Sequence, residues 1–300
     1  MANTNTNISK ELIQVEILPA LQLGLVPLDV LSFKSVADAP LYYGDTVRVP
    51  VTSARTAGTF AGNWETGDST TTGTDVTIGK PIFTAAYIDP TEEMPTASRL
   101  LALGKECAYG TAKKVLQDVL ALFVEANIGS GAGDESVIAS GAYDHADVAD
   151  MRKKLWDKGV EGSIAAINDL SYVTNLYKDA AIIDQSASGA STLTTGELPP
   201  LYGIRQFYTD AFPTAVTSEN THVILTGPTT AAVAMGVPGD PTGLEGPAGI
   251  RTTVASDADT GLALSFRQWV NSATGFHWVA VYVMKGQSFV QDAAVRVVSA

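Results

Sequence analysis

The chain has 300 residues, 45% of them hydrophobic and only 17% charged, with 32 acidic against 19 basic side chains for a formal net charge of -13. That length buries a large core in one elaborate domain or two modest ones, and so few charges, against about a quarter in an ordinary chain, leave neutral to apolar surface of the kind a partner covers. Scattered Lys and Arg with no basic run exclude a protein that grips phosphates, and a single cysteine, Cys107, excludes an intrachain disulfide.

Residues 1–10 are polar and lack the basic start and apolar core of a signal peptide. No stretch approaches the ~20 apolar residues of a membrane span, so the expectation is a protein made and kept in the cytoplasm, with no membrane partner. Asn7-Ile8-Ser9 matches a glycosylation acceptor but carries no meaning without a secretory signal. A short apolar stretch, Leu12 to Leu25, is punctuated by Pro19 and Gly24, with Pro27 and Pro40 beyond it. Residues 1 to about 40 therefore read as an extended arm that lies on a neighbouring subunit.

Gly44-Asp45 is a turn signal, and Thr46-Val-Arg-Val-Pro-Val-Thr52 alternates with Val47, Val49 and Val51 on one face. Pro50 cannot donate to a ladder, so this is an edge strand or one half of a two-stranded ribbon. Residues 54–75 are dense in Thr and Gly with Trp64 as the only large side chain, and Val76 to Ile88 is a second extended segment broken at Pro81. The pair predicts a long hairpin with a polar tip, too long to stabilise itself.

Thr96 or Ser98 opens a helix of roughly 30 residues ending at Gly129. Leu101, Ala108 and Val115 repeat at heptad spacing beside Ala112, Val119 and Ala126. Gly104 and Gly110 inside it mark a bend or a close backbone approach. Cys107, among apolar neighbours, reads as a small core residue.

After the glycine-rich break Gly129–Gly133 the texture becomes alternating α and β. Asp144 caps a helix with Val148, Met151, Leu155 and Trp156 inward and Gly159 at its end. Ser163 to Ile167 is a buried strand. Asp169 to Asp179 is a helix with Leu170, Val173, Leu176 and Tyr177 inward. Gln185 to Thr195 is a small-residue loop, Leu201 to Thr209 and Val223 to Leu225 are strands, and Thr229 to Met235 is a short helix. Four strands close the chain: Thr252–Ala255, Leu262–Val270, Trp278–Met284 and Phe289–Val298.

A search for chemistry returns little. His145, His222 and His277 lie far apart, none in a metal-ligand spacing, and each reads as a surface or packing residue. There is no GxSxG elbow. Gly227-Pro-Thr-Thr lacks the second glycine and lysine of a phosphate loop, and Gly129–Gly133 follows a helix where a dinucleotide motif must follow a strand. Glu92-Glu93 favours a helix start, Asp257 and Asp259 sit in a turn too short of ligands for calcium, and Trp64, Trp156, Trp269 and Trp278 are spread too thinly for a base-stacking platform. No catalytic, cofactor-binding or metal residue is assigned, and no cofactor is expected.

The order of elements nevertheless resembles a known family. Gly44-Asp45-Thr46-Val47-Arg48-Val49-Pro50, the Thr/Gly hairpin, the return strand ending Tyr87-Ile88-Asp89, the long helix containing Ala112-Lys-Lys-Val-Leu-Gln-Asp118, and Leu193-Thr-Thr-Gly196 to Gly203-Ile204 look like the major capsid proteins of tailed bacteriophages, whose fold is named for phage Hong Kong 97. The resemblance implies an α+β fold with an N-terminal arm (1–40), an extended E-loop (41–92), a P-domain with its spine helix (93–143), an α/β A-domain (144–255) and C-terminal strands shared between the last two (256–300). It implies a virion shell protein that assembles with itself into hexamers and pentamers around double-stranded DNA without sequence-specific binding. Its expected partners are scaffolding, portal and decoration proteins. Some members crosslink through an E-loop lysine; Lys80 stands in that region and reads as a solvated lysine. The alternatives are an encapsulin-like nanocompartment shell with an enzyme cargo, an α+β enzyme whose site converges only in space, and another phage structural part such as a tail or decoration protein.

Overall fold

The computed structural model describes residues 9–51, 73–160, 162–183, 198–213, 220–238, 251–257 and 262–299. The hairpin tip with Trp64, the whole small-residue loop at 185–195, and Asp259 lie outside them.

The helix expected after residue 95 is α3 (Ala97–Leu120), and the Thr96 side chain caps it by accepting from the Arg99 backbone N–H. Its buried stripe includes Leu100, Leu103, Cys107, Ala108, Ala112, Val115, Leu116 and Val119, so Leu100, not Leu101, leads the row. The helix is shorter than the sequence suggests. The chain turns after Leu120, which carries Phe123 into the core, and a separate turn of helix, α4 (Glu125–Ile128), precedes Gly129 at φ +98°.

The reading of residues 10–30 as an extended arm is corrected. Lys10–Val30 is one helical run: α1 (Lys10–Leu12), a π-helical turn (Ile13–Ile17), α2 (Leu18–Leu25) and a 3-10 turn (Val26–Val30). Ile13, Ile17, Leu21, Leu25 and Leu28 recur at helical spacing and are all buried. The prolines do not break the run, because Pro19 and Pro27 stand in first turns, where a missing N–H is tolerated. The run packs on its own α3: a Cβ added at Gly24 would stand 2.5 Å from Ala112 Cβ, and one at Gly104 would stand 2.6 Å from Ile17 Cδ1. Gly104 is thus a place of close approach, as expected. Lys10–Val30 is also long and apolar enough to cross a membrane by length and composition, contrary to the expectation that no stretch approaches a span; half of its most apolar window is buried inside the fold.

Beside α3 lies a six-stranded sheet of order β1-β9-β12-β11-β10, in which β4 also pairs with β12. These strands are β1 (Ser32–Leu41), β4 (Ile82–Ile88), β9 (Ala231–Pro238), β10 (Arg251–Ser256), β11 (Ala263–Val270) and β12 (His277–Phe289). Two expected segments, Trp278–Met284 and the start of Phe289–Val298, merge into the 13-residue β12. The short helix expected at Thr229–Met235 is instead β9. Its side chains, Ala-Ala-Val-Ala-Met-Gly-Val, are buried on both faces, a pattern without period that suits a central strand as well as a helix.

The alternating valines form a two-stranded ribbon, β2 (Thr46–Pro50) against β3 (Gly73–Thr77). It is the base of the expected hairpin. The return strand does not stay in it: after Gly79–Pro81, β4 joins β12 in the large sheet. Val47, Val49, Val76 and Ile78 pack on Ala232, Ala234 and Met284, so the ribbon base has a small core within its own subunit.

A five-stranded sheet of order β5-β13-β8-β6-β7 completes the fold: β5 (Glu135–Val137), β6 (Ala165–Asp169), β7 (Arg205–Thr209), β8 (Thr221–Thr226) and β13 (Ala294–Val298). Asp144 forms a capping box with Asp147 at the start of α5 (His145–Asp157), and Val148, Met151 and Leu155 are buried against this sheet. Trp156, expected inward, is 56% exposed, with Arg152 over its ring. In α6 (Leu170–Leu176), capped by Asp169, the inward aromatic is Tyr172, while Leu170 is half exposed. A last short helix, α7 (Ala180–Ile183), precedes residues outside the description. The C-terminal strands divide, β11 and β12 in the large sheet and β13 in the small one.

Candidate functional site

The titratable residues singled out in the sequence fall into separate local roles. His145 Nδ1 lies 2.7 Å from Asp179 Oδ2, across the start of α5. Burial alone would raise the Asp179 carboxyl, but bonds from the His145 backbone and ring hold it below its ordinary range. His222 stacks on Tyr172 at 4.9 Å and its Nδ1 lies 4.0 Å from Asp169. His277 begins β12. Glu93 pairs with Arg99 at 3.1 Å, beside the helix start it was expected to favour. Asp257 accepts from Gln22 at 2.7 Å, which ties the N-terminal helical run to the end of β10. The Gly129–Gly133 break wraps the Asp134 carboxylate, which Lys158 binds at 2.8 Å. Gly227, in the turn between β8 and β9, donates its N–H to the Ala293 carbonyl and so ties that turn to the residue before β13. Cys107 is 1% exposed and burial pushes its thiol up to about 11, as suits an inert core residue. Lys80 is exposed. Among the described residues, no three His, Cys, Asp or Glu side chains converge as a metal site.

Two ion networks were not visible in the sequence. Lys285, on β12 and 7% exposed, binds Asp118 at 3.0 Å and also Gln287. Burial drives its ammonium below the ordinary lysine range. Burial opposes the charge on Asp118 too, but Lys114 and Lys285 together hold its carboxyl below the usual value. Lys285, Asp118 and Gln287 line a cavity of about 300 Å³ with Gly79 and Lys80, where the ribbon meets the large sheet. In the small sheet Arg296, 1% exposed, binds Glu135 at 2.8 Å. Both networks tie elements far apart in sequence and act as structural clamps.

The exposed surface carries more information than the titratable groups. One face of the large sheet packs on α3 through Phe266, Val279, Val281 and Val283, with Thr84 against Gly110. The opposite face follows from strand parity. Register sets Phe83 opposite Tyr282, Tyr87 opposite Trp278, and Trp278 opposite Trp269. The rings touch: Phe83–Tyr282 centroids are 5.1 Å apart, Tyr87–Trp278 4.9 Å, Trp269–Trp278 5.8 Å and Tyr87–Phe276 5.0 Å, with Arg267 over Tyr282 at 4.7 Å. Of the four tryptophans, Trp269 and Trp278 are thus brought side by side by the β11–β12 register. A signal was present in the sequence, since aromatic residues alternate at 83/87 and 278/282, but only the pairing register joins them. A second apolar surface is the outer side of the N-terminal helical run, where Leu12, Val15, Leu23 and Val26 are exposed.

The arrangement is a mixed α+β architecture of a spine helix with a large sheet, an outlying ribbon, and a smaller sheet with its own helices: the Hong Kong 97-like capsid fold. Among solved structures, the chain is similar to that of Mycobacterium phage Che8, with a TM-score of 0.53 and 16% identity, covering 85% of this chain and 84% of that one. It is similar to the capsid structure of the cyanophage P-SCSP1u, with a TM-score of 0.52 and 12% identity over 90% and 86%. The virus-like particle from Pyrococcus furiosus matches at a TM-score of 0.52 and 12% identity over 96% and 98%. No protein-family model and no curated protein matches the chain.

Proposed function

We propose that this chain is the major capsid protein of a tailed bacteriophage, a subunit that assembles with itself into hexamers and pentamers of an icosahedral head around double-stranded DNA. The observation that carries this reading is a fold shared over 86% or more of both chains with phage capsid structures. In this reading the protein is structural and not an enzyme. Residues 1–40 correspond to the N-terminal arm, 41–92 to the E-loop, 93–143 to the P-domain, 144–255 to the A-domain, and 256–300 to strands shared by the last two. Scaffolding, portal and decoration proteins would be its other partners, and it would be made in the host cytoplasm and end in the virion. The physics supports a shell: many weak contacts shared among neighbours give avidity with reversibility.

The match to a virus-like particle over nearly the whole of both chains favours one second reading, an encapsulin-like compartment that encloses protein. Purified protein analysed by sizing and negative-stain electron microscopy tests the shared part. Closed shells support both readings, and a discrete small oligomer overturns both. Nuclease-protected DNA in native particles supports the phage head, whereas a protein cargo supports the compartment.

A further inference from the structure

We infer that the small sheet and its helices are a flap hinged on the large sheet, and that Lys158 sets the hinge angle. That one chain needs more than one angle rests on the shell reading, since five-fold and six-fold rings place identical subunits in unequal surroundings. Among the described residues the chain passes between the large-sheet side and the small-sheet side three times: at 129–134 from α4 to β5, at 227–230 from β8 to β9, and at 290–293 from β12 to β13. All three passages meet at one corner of the small sheet, where Thr226 pairs with both Ala165 and Ala294. The Gly227 N–H and the Thr230 hydroxyl both donate to the Ala293 carbonyl, at 3.1 and 2.9 Å, and the Val290 N–H donates to the Thr230 carbonyl at 2.9 Å. These bonds join the second passage to the third. One side chain joins the first to the third. Lys158, just beyond α5 and 13% exposed at its side chain, lies 2.8 Å from Asp134 and 2.7 Å from Asp292, and it donates to the Ala294 carbonyl at 2.9 Å. An ammonium has three donors, which match these three acceptor groups. Without that cation the two carboxylates would face each other as like charges.

The diagonally opposite corner is looser. β7 is the far edge of the small sheet and runs parallel to β6, so Asp210, just past β7, lies at the end away from the hinge. A groove of about 450 Å³ opens there, with Leu23, Tyr109 and Leu116 on one wall and Leu170 and Tyr208 on the other. The pair Lys113–Asp210 crosses it with both side chains more than half exposed, and such pairs hold weakly. The groove is room for the flap to turn into. The flap lends Ile167, Ala211, Ile224 and Ala294 to the main core, a narrow apolar contact of the kind that slides in shear. From the hinge to Asp210 the sheet spans three strand spacings of about 4.8 Å and a strand of about 15 Å, an arm of about 20 Å. A turn of about 10° therefore moves the groove wall by roughly 3–4 Å.

Spin labels at Glu106→Cys on α3 and Lys178→Cys beyond α6 stand on exposed residues of the two parts, while Cys107 is buried and stays unlabelled. Double electron–electron resonance on unassembled subunits should give one narrow distance peak in the parent. Lys158→Met should shift or broaden that peak by about 3 Å while keeping the parent's circular dichroism. Adding Asp134→Asn and Asp292→Asn removes the repulsion and should restore the peak. A role confined to stability would move the unfolding midpoint and leave the peak in place. A second measurement needs no variant: in a shell reconstruction, subunits of five-fold and six-fold rings should superpose on α3 and differ by a rotation of the small sheet that pivots near Ala293. A Lys158→Met peak identical to the parent's, or subunits that superpose as one rigid body in both rings, overturns the hinge and leaves the shell reading standing. A discrete small oligomer overturns the shell reading and with it the need for a second angle.

Discussion

Gly24→Ala is the sharpest probe of how the N-terminal helical run is seated. The added methyl would lie 2.5 Å from Ala112 Cβ, whereas carbons in contact stand about 3.5–4.0 Å apart. Ala112 is fully buried in the middle of α3 and has no rotamer with which to yield. The two helices must therefore separate by roughly 1 Å, loosening the contacts of Leu21 and Leu25. Alanine offers up to about 1 kcal/mol of helix propensity over glycine, and overpacking costs ~1–3 kcal/mol. The expected net loss is about 1 kcal/mol, or a Tm lower by about 2–4 °C. Ala112→Gly reopens the space, so the double variant should lose less than the sum of the singles by about 1 kcal/mol. The assay is thermal and urea unfolding of unassembled subunits by circular dichroism, since assembly would add concentration-dependent stability. If Gly24→Ala raises the Tm and shows no coupling to Ala112→Gly, the run does not rest on α3 and the arm lies elsewhere.

Three further outcomes are expected. Asp118→Asn strips the carboxylate from the buried Lys285 and should cost about 3 kcal/mol, the lower end for an uncompensated buried charge, read as a shift in the urea midpoint with unchanged slope. Acid should destabilise the subunit: Asp118, Asp134 and Asp179 all have folded pKa values depressed below 3.8. The unfolded chain therefore takes up protons first, and the stability these groups supply above 3.8 is lost as pH falls through their folded values; a Tm that stays level from about pH 5 down to pH 3 would contradict this. Deleting residues 58–73 should leave a soluble, helical subunit that forms no closed shells, and normal particles under the electron microscope would refute the assignment of that segment to assembly.

The parts legible in the sequence were those where a local rule acts alone. Alternating valines with Pro50 gave a ribbon, Thr96 and Asp144 stood where caps were expected, and Gly104 and Gly110 marked close approaches. The N-terminal run was misread because Leu12, Val15 and Leu23 keep its outer side apolar as well, leaving no amphipathic contrast to set against its prolines. The strand β9 was misread because burial on both faces erases periodicity. The aromatic face was invisible for another reason: Phe83 and Tyr87 lie about 190 residues from the strand they stack on, and only the β4–β12 register brings them together. The Lys285–Asp118 pair is hidden in the same way, between a helix and a strand distant in the chain.

The central claim is that this fold exists to be repeated around a closed shell. Cryo-electron reconstruction of the purified particle tests it most directly. The expected result is an icosahedral shell of six-fold and five-fold rings whose subunits show the α3 spine, the ribbon and the two sheets. A monodisperse monomer or small closed oligomer, unchanged by concentration, would contradict it.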